Sequence, residues 1–184
     1  MRVEIRITGL GGQGAITAGH ILGQAAVLYD GKEAAVTEGY SPYITGGWSR
    51  ADVVVSDRPI DYPLVTKVDA LVTMYHEGLK TNMNVVKSGG IIITEKTLVD
   101  ATKTAGFRLL EVPGIEIADK LGKRILLNVV MLGALIRAIG TVSPESVIRA
   151  LADRFPKAIE LNMKAFQEGY SFADSIVSEP RPRA

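Results

Sequence analysis

An α/β fold is what this chain of 184 residues predicts: a three-layer α/β/α, Rossmann-like arrangement with a mostly parallel sheet and a helical C-terminal third. Three observations carry that expectation. An alternating strand at the N-terminus runs directly into a glycine turn and a helix. A later run, Ile91-Ile92-Ile93-Thr94, is apolar on both faces, as a central strand under two helical layers must be. From Ile115 onward the apolar spacing becomes helical.

Val3, Ile5 and Ile7 alternate with Glu4 and Arg6 before Thr8-Gly9-Leu10-Gly11-Gly12-Gln13-Gly14. The helix that follows, Ala15 to Tyr29, has a broad apolar face and a polar stripe of Gln13, Thr17, His20 and Gln24. Asp30-Gly31 stops it. Ala34 to Thr37 reads as a second strand, completing a strand, helix, strand unit of crossover length. Glu38 to Ser49 carries three glycines, a proline and three aromatics with no sustained period, and is expected to be a long functional loop. Strands follow at Arg50 to Ser56 and Ala70 to Met74, with one helical turn expected within Asp61 to Lys67. Gly78 to Lys87 is the next helix, ended by Gly89-Gly90, and Phe107 to Val112 is the last strand.

Helices are then expected over Ile115 to Leu121, Ile125 to Ile139, and from Ser143, a good N-cap with Pro144 at the first helical position. Phe155-Pro156 breaks that helix. The final one places Ile159, Met163, Phe166 and Tyr170 on one face. The expectation is one domain over residues 1–177 and a flexible tail over 178–184.

Composition excludes several chemistries. The chain has no cysteine, so it offers no disulfide, no thiolate nucleophile and no cysteine-held zinc or iron–sulfur cluster. Twenty-one Lys and Arg against 20 Asp and Glu leave a net charge of +1 with no basic cluster, which argues against nucleic acid as a partner. The N-terminal alternation is unlike a signal peptide, so the mature chain is expected to begin here. Ile125 to Ile139, interrupted by Asn128 and Arg137, is shorter than the ~20 apolar residues of a membrane span. A cytoplasmic protein with a buried core helix is the expectation.

Gly9-x-Gly11-x-x-Gly14 stands between a strand and a helix, where free backbone N–H groups and the positive helix end attract anions. Two readings stand: a phosphate or carboxylate held on the amides of Gly11 to Gly14, or a turn whose glycines only let helix and sheet pack closely. Glu38, 24 residues after Gly14, stands where a dinucleotide-binding domain places its ribose-binding acid, but no second crossover follows it. His76 and Glu77 lie at the carboxyl edge of the sheet, where acid–base work is geometrically possible. Equally, Glu77 suits a helix start and His76 an exposed loop, and no nucleophile or metal partner accompanies them. Only two histidines exist, too few for a metal cluster. Tyr40, Tyr43 and Trp48 crowd one loop, as on a binding surface, or as on a loop folded back onto its own domain.

Four separated stretches together resemble the gamma subunit of the 2-oxoacid:ferredoxin oxidoreductases. They are Gly9-Leu-Gly-Gly-Gln-Gly14 leading into Ala18-Gly-His-Ile-Leu-Gly23; Tyr40-Ser-Pro-Tyr-Ile-Thr-Gly-Gly-Trp-Ser-Arg50 running into Ala51 to Asp57; Ile60-Asp-Tyr-Pro63; and Asn128 to Leu135. The last helix, Asn162 to Tyr170, is similar too. Tyr-Ser-Pro and Ile60 to Pro63 lean toward the 2-oxoglutarate type over the pyruvate type. The resemblance implies a multi-subunit enzyme that decarboxylates a 2-oxoacid on thiamine diphosphate, passes electrons through iron–sulfur clusters and releases an acyl-CoA. It places thiamine diphosphate, Mg2+ and the clusters in alpha, beta and delta partner subunits, with CoA as co-substrate and no cofactor held by this chain alone. It implies no catalytic residue here. Gly9, Gly11, Gly12, Gln13 and Gly14 would lie near the active site, and Tyr40, Tyr43, Thr45, Gly46, Gly47, Trp48 and Arg50 would form an interface loop. Many members carry an arginine where this chain has Thr45, and Arg50 is the nearby charge. Two other functions fit the residues: a free-standing nicotinamide-dependent dehydrogenase using Glu38, and a non-catalytic docking module.

Overall fold

The computed structural model describes residues 1–42, 46–102, 104 and 106–177. Tyr43, Thr45 and the expected tail over 178–184 lie outside these. Strands β1 (Arg2–Leu10), β2 (Glu33–Tyr40), β3 (Trp48–Ser56), β4 (Val68–Thr73), β5 (Val86–Glu95) and β6 (Arg108–Val112) form one sheet in the order β2-β3-β1-β4-β5-β6. Helix α1 (Ala15–Leu28) follows β1, α2 (His76–Asn82) follows β4, and α3 (Gly114–Lys120), α4 (Leu127–Ile139), α5 (Pro144–Arg154) and α6 (Ile159–Val177) complete the chain.

The sheet is parallel across β1, β4, β5 and β6, as expected, but β3 runs antiparallel to both its neighbours. The first two strands therefore do not pair as a crossover unit. Nine residue pairs, from Arg2–Ser56 to Leu10–Trp48, put β3 between them. The expected loop over 38–49 is also shorter, because Tyr40 pairs with Ser49 and the Ser41 N–H donates to the Trp48 carbonyl at 2.9 Å. Glycine and proline in the tip concealed a hairpin whose flanks are strand.

Two more expectations need correction. Residues 61–67 hold no helical turn; they run as irregular chain, with the Arg2 guanidinium donating to the Tyr62 carbonyl at 2.9 Å. Gly89-Gly90 does not stop a helix, since α2 ends at Asn82 and a 3-10 turn (Met83–Val85) leads into β5. The glycine pair sits in a bulge where pairing jumps from Val68–Val86 to Ala70–Ile91. A Cβ on Gly90 would meet the Lys87 and Asp69 carbonyl oxygens at 2.9 and 3.0 Å.

The layers are unequal. Ile5, Ile7, Val53, Val55, Val72 and Ile93 face the large core with α1, α3, α4, α5 and α6. Leu71 and Ile92 face a smaller one with Leu79 of α2 and Val99. On that thinner side β1 and β3 bury ions: Arg6 grips Asp52 with Nε–Oδ1 and Nη2–Oδ2 bonds of 2.7 and 2.8 Å and donates to Asn82 at 3.0 Å.

Helices α4 and α6 run side by side. Val130 meets Gly169, Gly133 meets Phe166 and Tyr170, and Arg137 bonds Asp174 at 2.6 Å, so contacts advance in step and the helices are parallel. At α5, Ser143 caps as expected, its hydroxyl accepting the Ser146 N–H at 3.2 Å. Asp30 accepts the Ser143 N–H and hydroxyl at 2.9 and 2.7 Å and ties the end of α1 to this cap.

Candidate functional site

β1 and β4 are adjacent parallel strands whose helices leave to opposite faces, α1 into the large core and α2 into the small one. That is a topological switch point, where open α/β sheets place ligands outside the carboxyl ends of the strands. A cleft of about 690 Å³ opens there. Its walls are the glycine loop, the end of β2 with Tyr40 and Ser41, Gly46 to Ser49, and the N-terminal ends of α4 and α6.

The glycines of the loop divide the two roles left open by the sequence. Gly9 lies in β1 with a notional Cβ 3.0 Å from the Met74 side chain, and Gly14, which lines the cleft at φ +78°, would press a Cβ to 2.5 Å from Asn128, so both are closely packed. The Gly11 N–H is spent on the Gly47 carbonyl at 2.8 Å, and the Gln13 N–H on Leu10 at 3.0 Å. Gly12 differs. Its φ of +88° suits glycine, nothing approaches its missing side chain within 4 Å, and it faces both this cleft and a smaller one of about 370 Å³. Gln13 acts as a clamp: Oε1 accepts the Leu10 N–H at 2.6 Å and Nε2 donates to the Met74 carbonyl at 3.0 Å, tying the loop to the strand ends.

The cleft carries positive potential. Lys123 and Arg154 line it and no Asp or Glu does among the described residues. α1 and α4 begin there with neither a side-chain cap nor an acidic residue in the first turn, leaving their positive dipole ends uncompensated. Ile16, Trp48, Leu126, Phe155 and Leu161 supply an apolar lining. Lys123, Ile125, Asn128, Arg154 and Asn162 were not singled out for the site by sequence reasoning. Asn128, a polar break in an apolar helix, was the available signal.

Of the expected interface residues, Tyr40, Gly46, Gly47 and Trp48 line the cleft. Arg50 does not. It sits on the opposite sheet face, 5.9 Å above the Trp48 ring and 3.4 Å from Asp52, beside a separate pocket with Arg6, Tyr75 and Glu77. Nor do His76 and Glu77 reach the cleft: His76 Nδ1 accepts the Asp100 N–H at 3.3 Å, and Glu77 pairs with Lys80 at 3.3 Å.

Glu38 is turned toward α1, where it meets His20 Nε2 at 2.5 Å and accepts the Tyr40 hydroxyl. Those bonds, from Tyr40 first and His20 second, hold its carboxyl below the usual carboxylate range. A lowered folded pKa contributes stability above the unfolded value that is lost as pH falls through the folded one. Glu38→Gln should therefore narrow the fall in melting temperature as pH drops below the usual glutamate range of about 4, as read by circular dichroism against the parent chain.

Residues 4–172 match the family described as pyruvate ferredoxin/flavodoxin oxidoreductase. The chain belongs to this family. Its similarity to the 2-oxoglutarate synthase subunit KorC of Methanocaldococcus jannaschii is 42% identity over 180 residues, 96% of each chain. Among solved structures, the keto/oxoacid ferredoxin oxidoreductase gamma subunit of Geobacter sulfurreducens superposes with a TM-score of 0.84 at 34% identity, covering 94% of this chain and 99% of that one. The fold also recurs in the 2-oxoglutarate:ferredoxin oxidoreductase of Magnetococcus marinus, with 2-oxoglutarate, coenzyme A and succinyl-CoA bound. There the TM-score is 0.86 at 23% identity, and the match covers 95% of this chain but 31% of that one. Within the family, this chain is a gamma-type unit. No helix among its described residues is long and apolar enough to cross a membrane.

Proposed function

We propose that this chain is the gamma subunit of a cytoplasmic 2-oxoglutarate:ferredoxin oxidoreductase, which converts a 2-oxoacid, CoA and an oxidised acceptor to acyl-CoA, CO2 and a reduced acceptor. The observation that carries the reading is the near full-length identity to KorC chains, 42% and 44% for two of them. A chain without cysteine has no thiolates for an iron–sulfur cluster, and among the described residues no three His, Asp or Glu side chains gather as metal ligands. On this reading thiamine diphosphate with its Mg2+ and the clusters belong to alpha, beta and delta partners, and the isolated gamma chain is inactive.

What this chain contributes is a preformed wall. The Gln13 clamp and the bond from Gly11 to Gly47 fix the loop, and the cleft offers Gly12 backbone, two cations and two helix N-termini to an anionic group of substrate or partner. Purification of the tagged chain from its native host tests the reading. Stoichiometric larger oxidoreductase chains with bound iron and thiamine diphosphate are expected; a lone 19.7 kDa chain with neither overturns it. Gly12→Leu should leave the subunit folded, with strain of about 1–2 kcal/mol from its left-handed backbone. Turnover of the assembled complex should fall at least tenfold, and unchanged turnover would make the loop purely structural.

A further inference from the structure

From the surface around Ile125 we infer that this residue is the knob by which the chain docks onto a partner chain of its complex, and that the partner meets it with an apolar socket rimmed by carboxylates. The inference rests on the gamma-subunit reading. Ile125 lies in the 3-10 turn Arg124–Leu126 before α4 and is 74% exposed, the most exposed of the large apolar side chains among the described residues. An isoleucine at that exposure gains nothing for the folded monomer. It stands on the ridge between the two clefts, lining both, as does Gly12. Leu98, 40% exposed, lines the smaller cleft, and Trp48, 37% exposed, lines the larger. The patch is thus a projecting apolar residue flanked by two recesses, the relief of an interface core.

Charge selects the partner's chemistry. Lys123 and Arg124 precede Ile125 in the chain, and Arg154 lines the larger cleft with it, while neither cleft is lined by Asp or Glu among the described residues. Arg124 is shared with Asp119 at 3.7 Å, which leaves Lys123 and Arg154 as the stronger cations. A basic rim around an apolar knob complements an acidic rim around an apolar socket.

The test uses full-length tagged chain expressed in its native host, with captured chains identified by mass spectrometry. Parent chain and Ile176→Asp, an exposed apolar position near the far end of α6, should retain the larger oxidoreductase subunits at equal stoichiometry. Ile125→Asp should lose them at least tenfold while its melting curve is unchanged. Lys123→Glu with Arg154→Glu should weaken capture and make it less sensitive to salt. Ile125→Asp retaining its partners at parental stoichiometry overturns the docking site. Parent chain capturing no oxidoreductase subunit overturns instead the reading on which it rests. Full capture by Ile125→Asp with lost CoA binding would assign the ridge to a small anionic ligand and also overturn the docking proposal.

Discussion

Gly169→Ala should lower the stability of the chain by about 2–3 kcal/mol, a drop of roughly 5–10 °C in melting temperature for a protein of this size. The reason is distance. A Cβ at Gly169 would stand 2.0 Å from the Val130 carbonyl oxygen, and one at Gly133 would stand 2.1 Å from that of Phe166. Backbone cannot rotate away as a side chain can, so α4 and α6 must part. Parting them opens the core around Val130, Met131, Ala165 and Phe166, all 1% exposed or less. Gly12→Ala is the control, because no atom lies within 4 Å of its added methyl and its cost is the backbone term alone. Equal melting losses for the two alanine variants would show that the helix contact relaxes freely.

The second large effect is expected at Asp52. Its carboxylate, 4% exposed at the residue level, receives two bonds from Arg6, itself 7% exposed, and lies 3.4 Å from Arg50. Asp52→Ala leaves the Arg6 guanidinium buried with only Asn82 to accept from it. Stripping one partner from a buried pair costs about 3–5 kcal/mol, whereas replacing both by apolar groups is often close to neutral. Urea unfolding should therefore show Asp52→Ala far less stable than the parent, and Arg6→Met/Asp52→Leu recovering much of the loss. A double variant no better than the single one would mean that the ion pair is favourable in itself.

Much of this architecture can be read in the chain. Alternation in Val3 to Ile7, the doubly apolar Ile91 to Thr94 and the Ser143-Pro144 cap each determined an element, because local pattern and tertiary burial agree there. The antiparallel β3 was not legible, since its nine partners on β1 lie 38 to 54 residues away and nothing local encodes them. Gly89-Gly90 misled for a related reason: glycine marks both a helix end and a strand bulge, and only the close approach of Asp69 distinguishes them. At the site, the glycine loop announced itself by spacing. Lys123, Arg154 and Ile125 did not, because the fold brings them to Gly12 from more than a hundred residues away. Gln13 was legible as a loop residue, but its clamp on Met74 depends on where β4 ends.

The placement of β3 also sets an order of events in synthesis. β1 is the first strand to leave the ribosome and lies in the middle of the sheet, yet its partners are β3 and β4, with Arg2 paired to Ser56 and Ile5 to Ala70. The chain must be made as far as Trp48 before Leu10 can pair, as far as Ser56 before Arg2 can, and as far as Thr73 before the second edge closes. During that interval an apolar strand waits with both hydrogen-bonding edges open, the condition that invites association with other nascent chains. The oldest segment of the polypeptide is thus enclosed only by strands made well after it, a non-local closure that slows folding relative to local pairing.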